Sequence, residues 1–225
     1  MAKEYTRAIT TLGSLPVAAA ILYHQPFEHL VGLAGVVAGA GSTVELDPSL
    51  AFTGANSLYT STRTTGAAED DSAELSDIFQ NPPSGQVLFS MRFRFPDFSK
   101  LKTLTTKVEF LDGTNRHMAT FIYNTADDTF SYVDEGGSPV TLVTFPRILT
   151  NDMWSILNIS VDFSANQFVA VQLNDTIYDL SGVPLEDAAV AAGPRSQYII
   201  TALTAGAAAV AFSLDEVAII DGRLQ

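Results

Sequence analysis

The segment VDFSANQFVAVQLNDTIYDL, residues 161–180, places apolar residues at every second position. A period of two is typical of strands with one buried face, because successive side chains of a strand point to opposite sides. The break in the alternation at Asn174–Asp175 predicts a two-residue hairpin turn. That turn pairs Val171 with Tyr178, so all the apolar residues share one face. We therefore expect Asn174–Asp175 to turn the chain and to have no ligand-binding role.

The same pattern recurs from residue 44 to residue 221, interrupted by turn-forming Asp, Asn, Gly and Ser residues. So many short strands predict an all-β protein, an antiparallel β-sandwich or barrel. Two short segments, 71–78 and 185–192, are predicted as one or two helical turns. The predicted strands cover residues 44–47, 56–63, 86–95, 106–113, 117–124, 129–137, 141–145, 155–163, 167–175, 176–180, 197–205 and 210–221.

Composition excludes several classes of function. The 225-residue chain carries 12 Lys and Arg against 25 Asp and Glu, which gives a formal net charge of −13, so binding to nucleic acid or to anionic membranes is not expected. Cysteine is absent, which excludes disulfides and thiol chemistry. The apolar runs near the N-terminus are shorter than the roughly 18 residues of a membrane span, and they lack the pattern of a secretory signal.

Residues 1–42 differ from the rest of the chain because they hold few charges and two Gly- and Ala-rich apolar runs. We predict an N-terminal arm that includes a first strand within residues 15–23, followed by a β-sandwich domain over residues 43–225. The alternative is that the whole segment folds back on its own domain. Leu30, Val31 and Leu33 are the residues predicted to pack on another subunit or on a particle surface.

A family resemblance rests on the order of four weak motifs: Gly54-Ala55-Asn56-Ser57-Leu58, then Trp154 before an alternating strand, then the hairpin at 161–180, then Leu214-Asp215-Glu216-Val217. Over residues 20–221 this order resembles the concanavalin A-like lectin and glucanase superfamily, including its laminin G-like members. The resemblance implies a jelly-roll β-sandwich. It also implies that Trp154 belongs to the core, packed with Leu157, Ile159 and Val161.

Catalysis is not expected. Glucanases of this superfamily carry a Glu-x-Asp-x-Glu strand that supplies nucleophile and acid/base, and here Glu45 and Asp47 lack the third carboxylate. No Ser, Cys or His occupies a recognised nucleophile motif. We therefore predict that the protein is not an enzyme.

Two groups of residues are candidate binding sites. Tyr123, Phe130 and Tyr132 surround an acidic loop and offer aromatic rings on which a sugar could stack, although the same rings would serve equally well in a core. Acidic turns supply the oxygen ligands that Ca²⁺ prefers, at Asp112 and Asn115 and at Asp134 and Glu135, and ordinary hairpin turns explain them as well. No cofactor is expected otherwise.

These observations lead to one functional prediction and two alternatives. A stable acidic sandwich with a lectin-like fold and no export signal resembles virion surface proteins of bacteriophages, such as head decorations, fibres or tail components. The predicted protein is assembled in the host cytoplasm, contacts other virion proteins or its own subunits, and has adhesion to a surface glycan as a task. The alternatives are a soluble carbohydrate-binding module and a divergent glycan-processing enzyme.

Overall fold

The computed structural model describes residues 43–52, 54–62, 66, 68–79, 85–144, 149–190 and 192–222, together with the backbone of residues 20–25. These residues form two antiparallel β-sheets packed face to face, and no α-helix occurs among them. The protein is an all-β, antiparallel jelly-roll sandwich, as the sequence predicts.

The first sheet has eight strands within the described residues. Its order is β12-β11-β10-β5-β15-β3-β2, and β1 pairs with the second half of β15. The strands are β1 (Ala20–Gln25), β2 (Thr43–Asp47), β3 (Ser57–Ser61), β5 (Gln86–Arg94), β10 (Trp154–Asp162), β11 (Gln167–Leu173), β12 (Thr176–Asp179) and β15 (Ala211–Asp221).

The second sheet has seven strands within the described residues. Its order is β4-β14-β6-β7-β8-β9, and β13 pairs with the first part of β7. A single 3₁₀ turn at Phe98–Lys100 precedes β6. The strands are β4 (Ser72–Phe79), β6 (Leu101–Leu111), β7 (Asn115–Asn124), β8 (Thr129–Val133), β9 (Pro139–Thr144), β13 (Glu186–Ala189) and β14 (Arg195–Thr204).

The core lies between the two sheets and is filled by alternate residues of each strand. Strand β5 contributes Val87, Phe89, Met91 and Phe93, all fully or almost fully buried. Phe89 meets Tyr198 of the opposite sheet, with ring centroids 5.6 Å apart. Core side chains therefore follow the two-residue period of the strands.

The hairpin at residues 161–180 is confirmed in its register. Val171 lies opposite Tyr178 and Leu173 lies opposite Thr176, so the connection between β11 and β12 is Asn174–Asp175. Each of the twelve strands predicted from the sequence overlaps a strand of the structure, and the bounds differ most at β6 and β8.

The two predicted helical segments are wrong. Residues 71–78 lie mostly in β4, where Ala73, Leu75 and Phe79 are buried. Residues 185–192 contain β13, which is paired to β7. Ala, Glu and Leu favour helices in isolation, but pairing with a neighbouring strand and burial of alternate residues outweigh that weak preference.

The N-terminal arm is described only in part. β1 falls at the end of the segment predicted to contain a first strand, and it adds to the sheet edge formed by residues 217–221 of β15. Leu30, Val31 and Leu33 lie outside the described residues, so the predicted assembly contact stays a prediction. No helix in the described part of the chain is long and apolar enough to cross a membrane.

Candidate functional site

The outer face of the eight-stranded sheet, which is turned away from the core, carries buried charges. Arg92 on β5 points to this face, and its side chain is 2% exposed. Its strand partner on β15 is Asp215, which is fully buried. Because burying an unpaired charge costs several kcal/mol, such a group needs an opposite charge beside it.

A β-bulge supplies a second carboxylate to Arg92. The register of β15 against β5 shifts between Asp215 and Ala218, and Glu216 adopts a φ of 50°, which is rare for a residue with a side chain. The bulge places Glu216 Oε2 3.4 Å from Arg92 Nε. Burial lowers the pKa of Arg92, and the nearby carboxylates of Glu216 and Asp215 offset part of that decrease. We call Arg92, Asp215 and Glu216 the charge cluster.

The charge cluster holds Phe52 on the sheet. Asp215 Oδ2 accepts a hydrogen bond of 2.8 Å from the backbone N–H of Phe52, and Asp215 Oδ1 accepts one from the N–H of Glu216. The Arg92 guanidinium lies 4.8 Å from the centroid of the Phe52 ring, a cation–π distance. Phe52 is therefore fixed through both its backbone and its ring, although 40% of it is exposed.

Trp154 lies beside Phe52, and its predicted position in the core is wrong. In β10 the buried core residues are Leu157, Ile159 and Val161, and Trp154 is an even-numbered residue on the opposite face of the strand. It is half-buried, and its ring meets Phe52 edge to face with centroids 5.9 Å apart. Trp154 is three positions before Leu157, and an odd separation along a strand puts two side chains on opposite faces, so Trp154 points outward.

The two rings belong to a cleft of about 310 Å³ on this face. Met153, which is 60% exposed, adds apolar surface, and the hairpin tip Asn174–Asp175 lies at the cleft as well. We call this site the aromatic cleft, and its lining residues are Phe52, Thr150, Met153, Trp154, Ser155, Ile156, Asn174 and Asp175.

The hairpin tip does more than turn the chain. Asn174 has a φ of 52°, as a tight turn requires, and its Oδ1 accepts a 3.0 Å hydrogen bond from the N–H of Ile156 on β10. Its own N–H donates to the carbonyl oxygen of Ile156. These two hydrogen bonds join the hairpin tip to β10, the strand that carries Trp154, so they fix the tip relative to the aromatic ring.

A second arginine lies next to the aromatic cleft. Arg94 is the strand partner of Trp154 and shares its face of the sheet. Its Nη2 is 2.6 Å from Asp152 Oδ1, and its Nε donates to the carbonyl oxygen of Asp152. Asp152 holds this position with a φ of 63° and a side chain that is 64% exposed.

A larger cavity of about 760 Å³ lies near the turn between β7 and β8 and shares only Thr150 with the aromatic cleft. Tyr123 lines it and donates a 2.9 Å hydrogen bond to Asp128. Burial, then this hydrogen bond, raise the pKa of the Tyr123 hydroxyl well above its ordinary value. The other lining residues are Phe98, Ser99, Leu101, Thr125, Ala126, Leu149, Asn151 and Ala205.

The predicted sugar-binding residues lie mainly in the core. Phe130 is buried and stacks on Phe121 with centroids 5.5 Å apart, and Tyr123 is buried except where it lines the larger cavity. Tyr132 is half-buried and packs edge to face on Phe168. Tyr123 and Phe130 are strand partners, so the sheet brings them together. Sugar binding by these three residues stays a prediction.

The predicted calcium ligands lie in two different turns. Asp112 Oδ1 accepts hydrogen bonds from the N–H groups of Thr114 and Asn115, and these bonds lower the pKa of Asp112. Asp134 Oδ1 accepts one from Ser138, and Glu135 is exposed beside it. Within the described ranges, no group of three or more His, Cys, Asp or Glu side chains is arranged to hold a metal ion.

The sequence analysis did not identify Phe52, Arg92 or the two adjacent acids Asp215 and Glu216 as parts of a site. One signal was available, because Ser90, Arg92 and Arg94 alternate with the apolar residues of β5. That alternation predicts an outward polar face, and polar residues on such a face are ordinarily solvated. Nothing in the alternation indicates that this outer face is covered by other parts of the chain, which bury Ser90 and Arg92.

Comparison with known proteins supports the fold. No family model and no curated protein sequence matches the chain. Among solved structures, an endo-β-1,4-glucuronan lyase from the fungus Trichoderma reesei matches with a TM-score of 0.63 and 15% identity, covering 89% of this chain and 95% of the other. A carbohydrate esterase from the Shiga toxin-encoding bacteriophage phi24B matches with a TM-score of 0.54 and 17% identity, covering 81% and 88%. At these identities the likeness shows a shared β-sandwich.

Proposed function

We propose that this domain binds glycans in the aromatic cleft. The observation that carries the proposal is the fixed pair of rings, Phe52 and Trp154, which lie next to the polar hairpin tip in a cleft on the outer face of the sheet. A sugar ring has an apolar face that packs on an aromatic ring, and its hydroxyl groups bond to side chains such as Thr150, Asn174 and Asp175. A rigid aromatic pair loses little entropy on binding.

Two further observations support a glycan-related role. The lyase and the esterase that share the fold both act, by their names, on carbohydrates. The cleft volume of about 310 Å³ is at the lower end of the range of about 300 to 1,000 Å³ typical of ligand sites. A site of this size suits a short part of a glycan chain.

We further propose that binding occurs without catalysis. Among the described residues that line the cleft Asp175 is the one acid, and the acids beneath Phe52 belong to the charge cluster, where Glu216 faces Arg92 and both oxygens of Asp215 accept backbone N–H groups. A general acid must exchange a proton with its substrate, and a carboxylate that is fully buried and held in this way is not placed to do so. The role assigned to these acids is to position Phe52.

The setting we propose is the surface of a virus particle, where this domain serves as a structural protein that adheres to a host glycan. The phage origin of one protein with this fold supports that setting. Leu30, Val31 and Leu33, which lie outside the described part of the chain, are the proposed contact with other virion proteins or with a second copy. Mass spectrometry of purified particles, and labelling of intact particles with an antibody to the domain, test this location.

The binding proposal is tested with Trp154→Ala and Phe52→Ala. Each change removes one of the two rings, so we expect about a tenfold or greater loss of affinity for the bound glycan. Trp154 is the only tryptophan of the chain, so its fluorescence reports directly on the cleft when glycan is added to the unaltered protein. Glycan arrays identify the ligand, and calorimetry measures its affinity.

Ile78→Ala is the matched control, because Ile78 is a 53% exposed apolar residue on the opposite sheet. It should leave glycan affinity unchanged. Trp154→Phe keeps an aromatic face and should retain part of the affinity. If both ring deletions leave affinity unchanged while the melting temperatures stay near that of the unaltered protein, the cleft is not the glycan site.

A further inference from the structure

In the part of the chain that the structure describes, the two arginines next to the aromatic cleft, Arg92 and Arg94, are both paired with carboxylates of the protein itself. Arg92 is almost completely buried under Phe52 and faces the two carboxylates of the charge cluster. Arg94 is paired with Asp152 at 2.6 Å, with only 12% of its side chain exposed. Within the described residues around the cleft, therefore, neither guanidinium is presented to a ligand.

The other charged groups that the structure describes at the cleft are negative. Asp175, at the hairpin tip, lines the cleft and is exposed, and Asp152 is largely exposed beside Arg94. The chain as a whole carries a formal net charge of −13. An anionic ligand that enters the cleft meets carboxylates first, and like charges close together repel.

We propose that the aromatic cleft selects neutral glycans over acidic ones, and that Asp152 sets this selectivity by holding Arg94. This inference rests on the proposed glycan-binding function and adds the class of ligand. Hydroxyl groups of a neutral sugar bond to Asp175, Asn174 and Thr150, whereas the carboxylate of a uronic acid finds no free cation among the described residues of the cleft. Arg94 is the strand partner of Trp154, so its release from Asp152 would place a guanidinium beside the aromatic surface.

The test compares pairs of oligosaccharides that differ only at C6, which is a hydroxymethyl group in one member and a carboxylate in the other. One pair is the β-1,4-linked tetramers of glucose and of glucuronate. The corresponding mannose and mannuronate pair and galactose and galacturonate pair are measured in the same way. For the unaltered protein we expect binding of the neutral member of one pair and at least tenfold weaker binding of its uronate counterpart. For Asp152→Asn we expect uronate binding to rise about tenfold, because Arg94 then lacks its charged partner. Added salt should reduce that gain.

Asp70→Asn is the matched control. Asp70 has a φ of 65°, a side chain 58% exposed and an ion pair of 2.8 Å with Lys102, so it resembles Asp152 in conformation, exposure and pairing. It removes the same charge at a distance from the cleft and should leave both affinities unchanged. Asn tolerates positive φ, so both variants are expected to fold, which thermal melting checks.

The outcomes separate this inference from the proposed function. If the unaltered protein binds the uronate as tightly as the neutral sugar, the selectivity is wrong while glycan binding stands. If Asp152→Asn leaves the ratio of the two affinities unchanged, Asp152 does not set it. If the unaltered protein binds no member of any pair and no other glycan, the proposed function itself fails.

Discussion

The two faces of strand β5 are equally buried and chemically opposite. Toward the core it presents Val87, Phe89, Met91 and Phe93, and toward the outer face Leu88, Ser90, Arg92 and Arg94. Phe89 is fully buried, and Arg92 is 1% exposed. The inner face is stabilised by apolar burial, which needs no specific partner, whereas the outer face needs each charge to be matched.

That difference is relevant to which face of the sheet carries the proposed binding site. Apolar side chains would cover the outer face at lower cost, because replacing buried ion pairs by well-packed apolar groups is often neutral or stabilising. The charge cluster instead holds Phe52 beside Trp154. Positioning an exposed ring at this cost fits the glycan-binding role proposed above.

The largest effect is expected on the inner face, from Phe89→Ala. This change leaves a cavity next to Tyr198 in a close-packed core, so the free energy of unfolding should fall by about 4 kcal/mol. Denaturant unfolding measures it. Glycan affinity should stay unchanged in the folded fraction, and a loss of affinity at full folding would mean that the two faces are coupled.

A somewhat smaller effect is expected on the outer face, from Arg92→Met. The substitution keeps much of the volume but leaves Asp215 and Glu216 buried without a cation, which should lower the free energy of unfolding by about 3 kcal/mol. Arg94→Met is the control, because its partner Asp152 is largely in water and the expected loss is only about 1 kcal/mol.

The Arg92 comparison has a clear contrary result. If Arg92→Met and Arg94→Met cost the same, burial of the charge cluster does not govern the outer face. Combining Arg92→Met with Asp215→Asn and Glu216→Gln removes all three charges together, and we expect it to recover part of the lost stability.

The smallest effect is expected from Ser213→Ala. Ser213 lies on the outer face beside Arg94 and is fully buried, and its hydroxyl has no hydrogen-bond partner among the described residues. Removing it should change the free energy of unfolding by less than about 0.5 kcal/mol, or stabilise the protein slightly.

Thr62→Val provides the contrast for Ser213→Ala. The buried Thr62 hydroxyl accepts a 3.0 Å hydrogen bond from the N–H of Val210, so its loss should cost about 1 to 3 kcal/mol. Urea unfolding of both variants measures the difference. A cost for Ser213→Ala as large as for Thr62→Val would show that the Ser213 hydroxyl is bonded in solution.

Predictions from the sequence succeeded where a local pattern repeats. The pairing of Val171 with Tyr178 follows from alternation and a two-residue turn alone, because both lie within one short hairpin. The prediction for Trp154 failed because it came from the family resemblance and not from the alternation. Trp154 and Leu157 are three positions apart, so the two-residue period of a strand puts them on opposite faces of β10.

The candidate site was much less predictable than the fold. Phe52 and Asp215 are 163 positions apart in the chain, and their hydrogen bond exists only because a loop crosses the outer face near β15. No sequence motif records a contact of that span. The bulge that turns Glu216 toward Arg92 contains no glycine, so the sequence gives no sign of the positive φ at this position.

The sequence by itself therefore determined the all-β class, the number and order of most strands and the tight turns, because these depend on a two-residue period and on local backbone preferences. Only the tertiary structure decided that β4 and β13 are strands, that Trp154 faces outward, and that Arg92 is buried. Each of those outcomes depends on what a neighbouring strand or a distant loop places against the residue, and the free energy of such contacts outweighs local propensity.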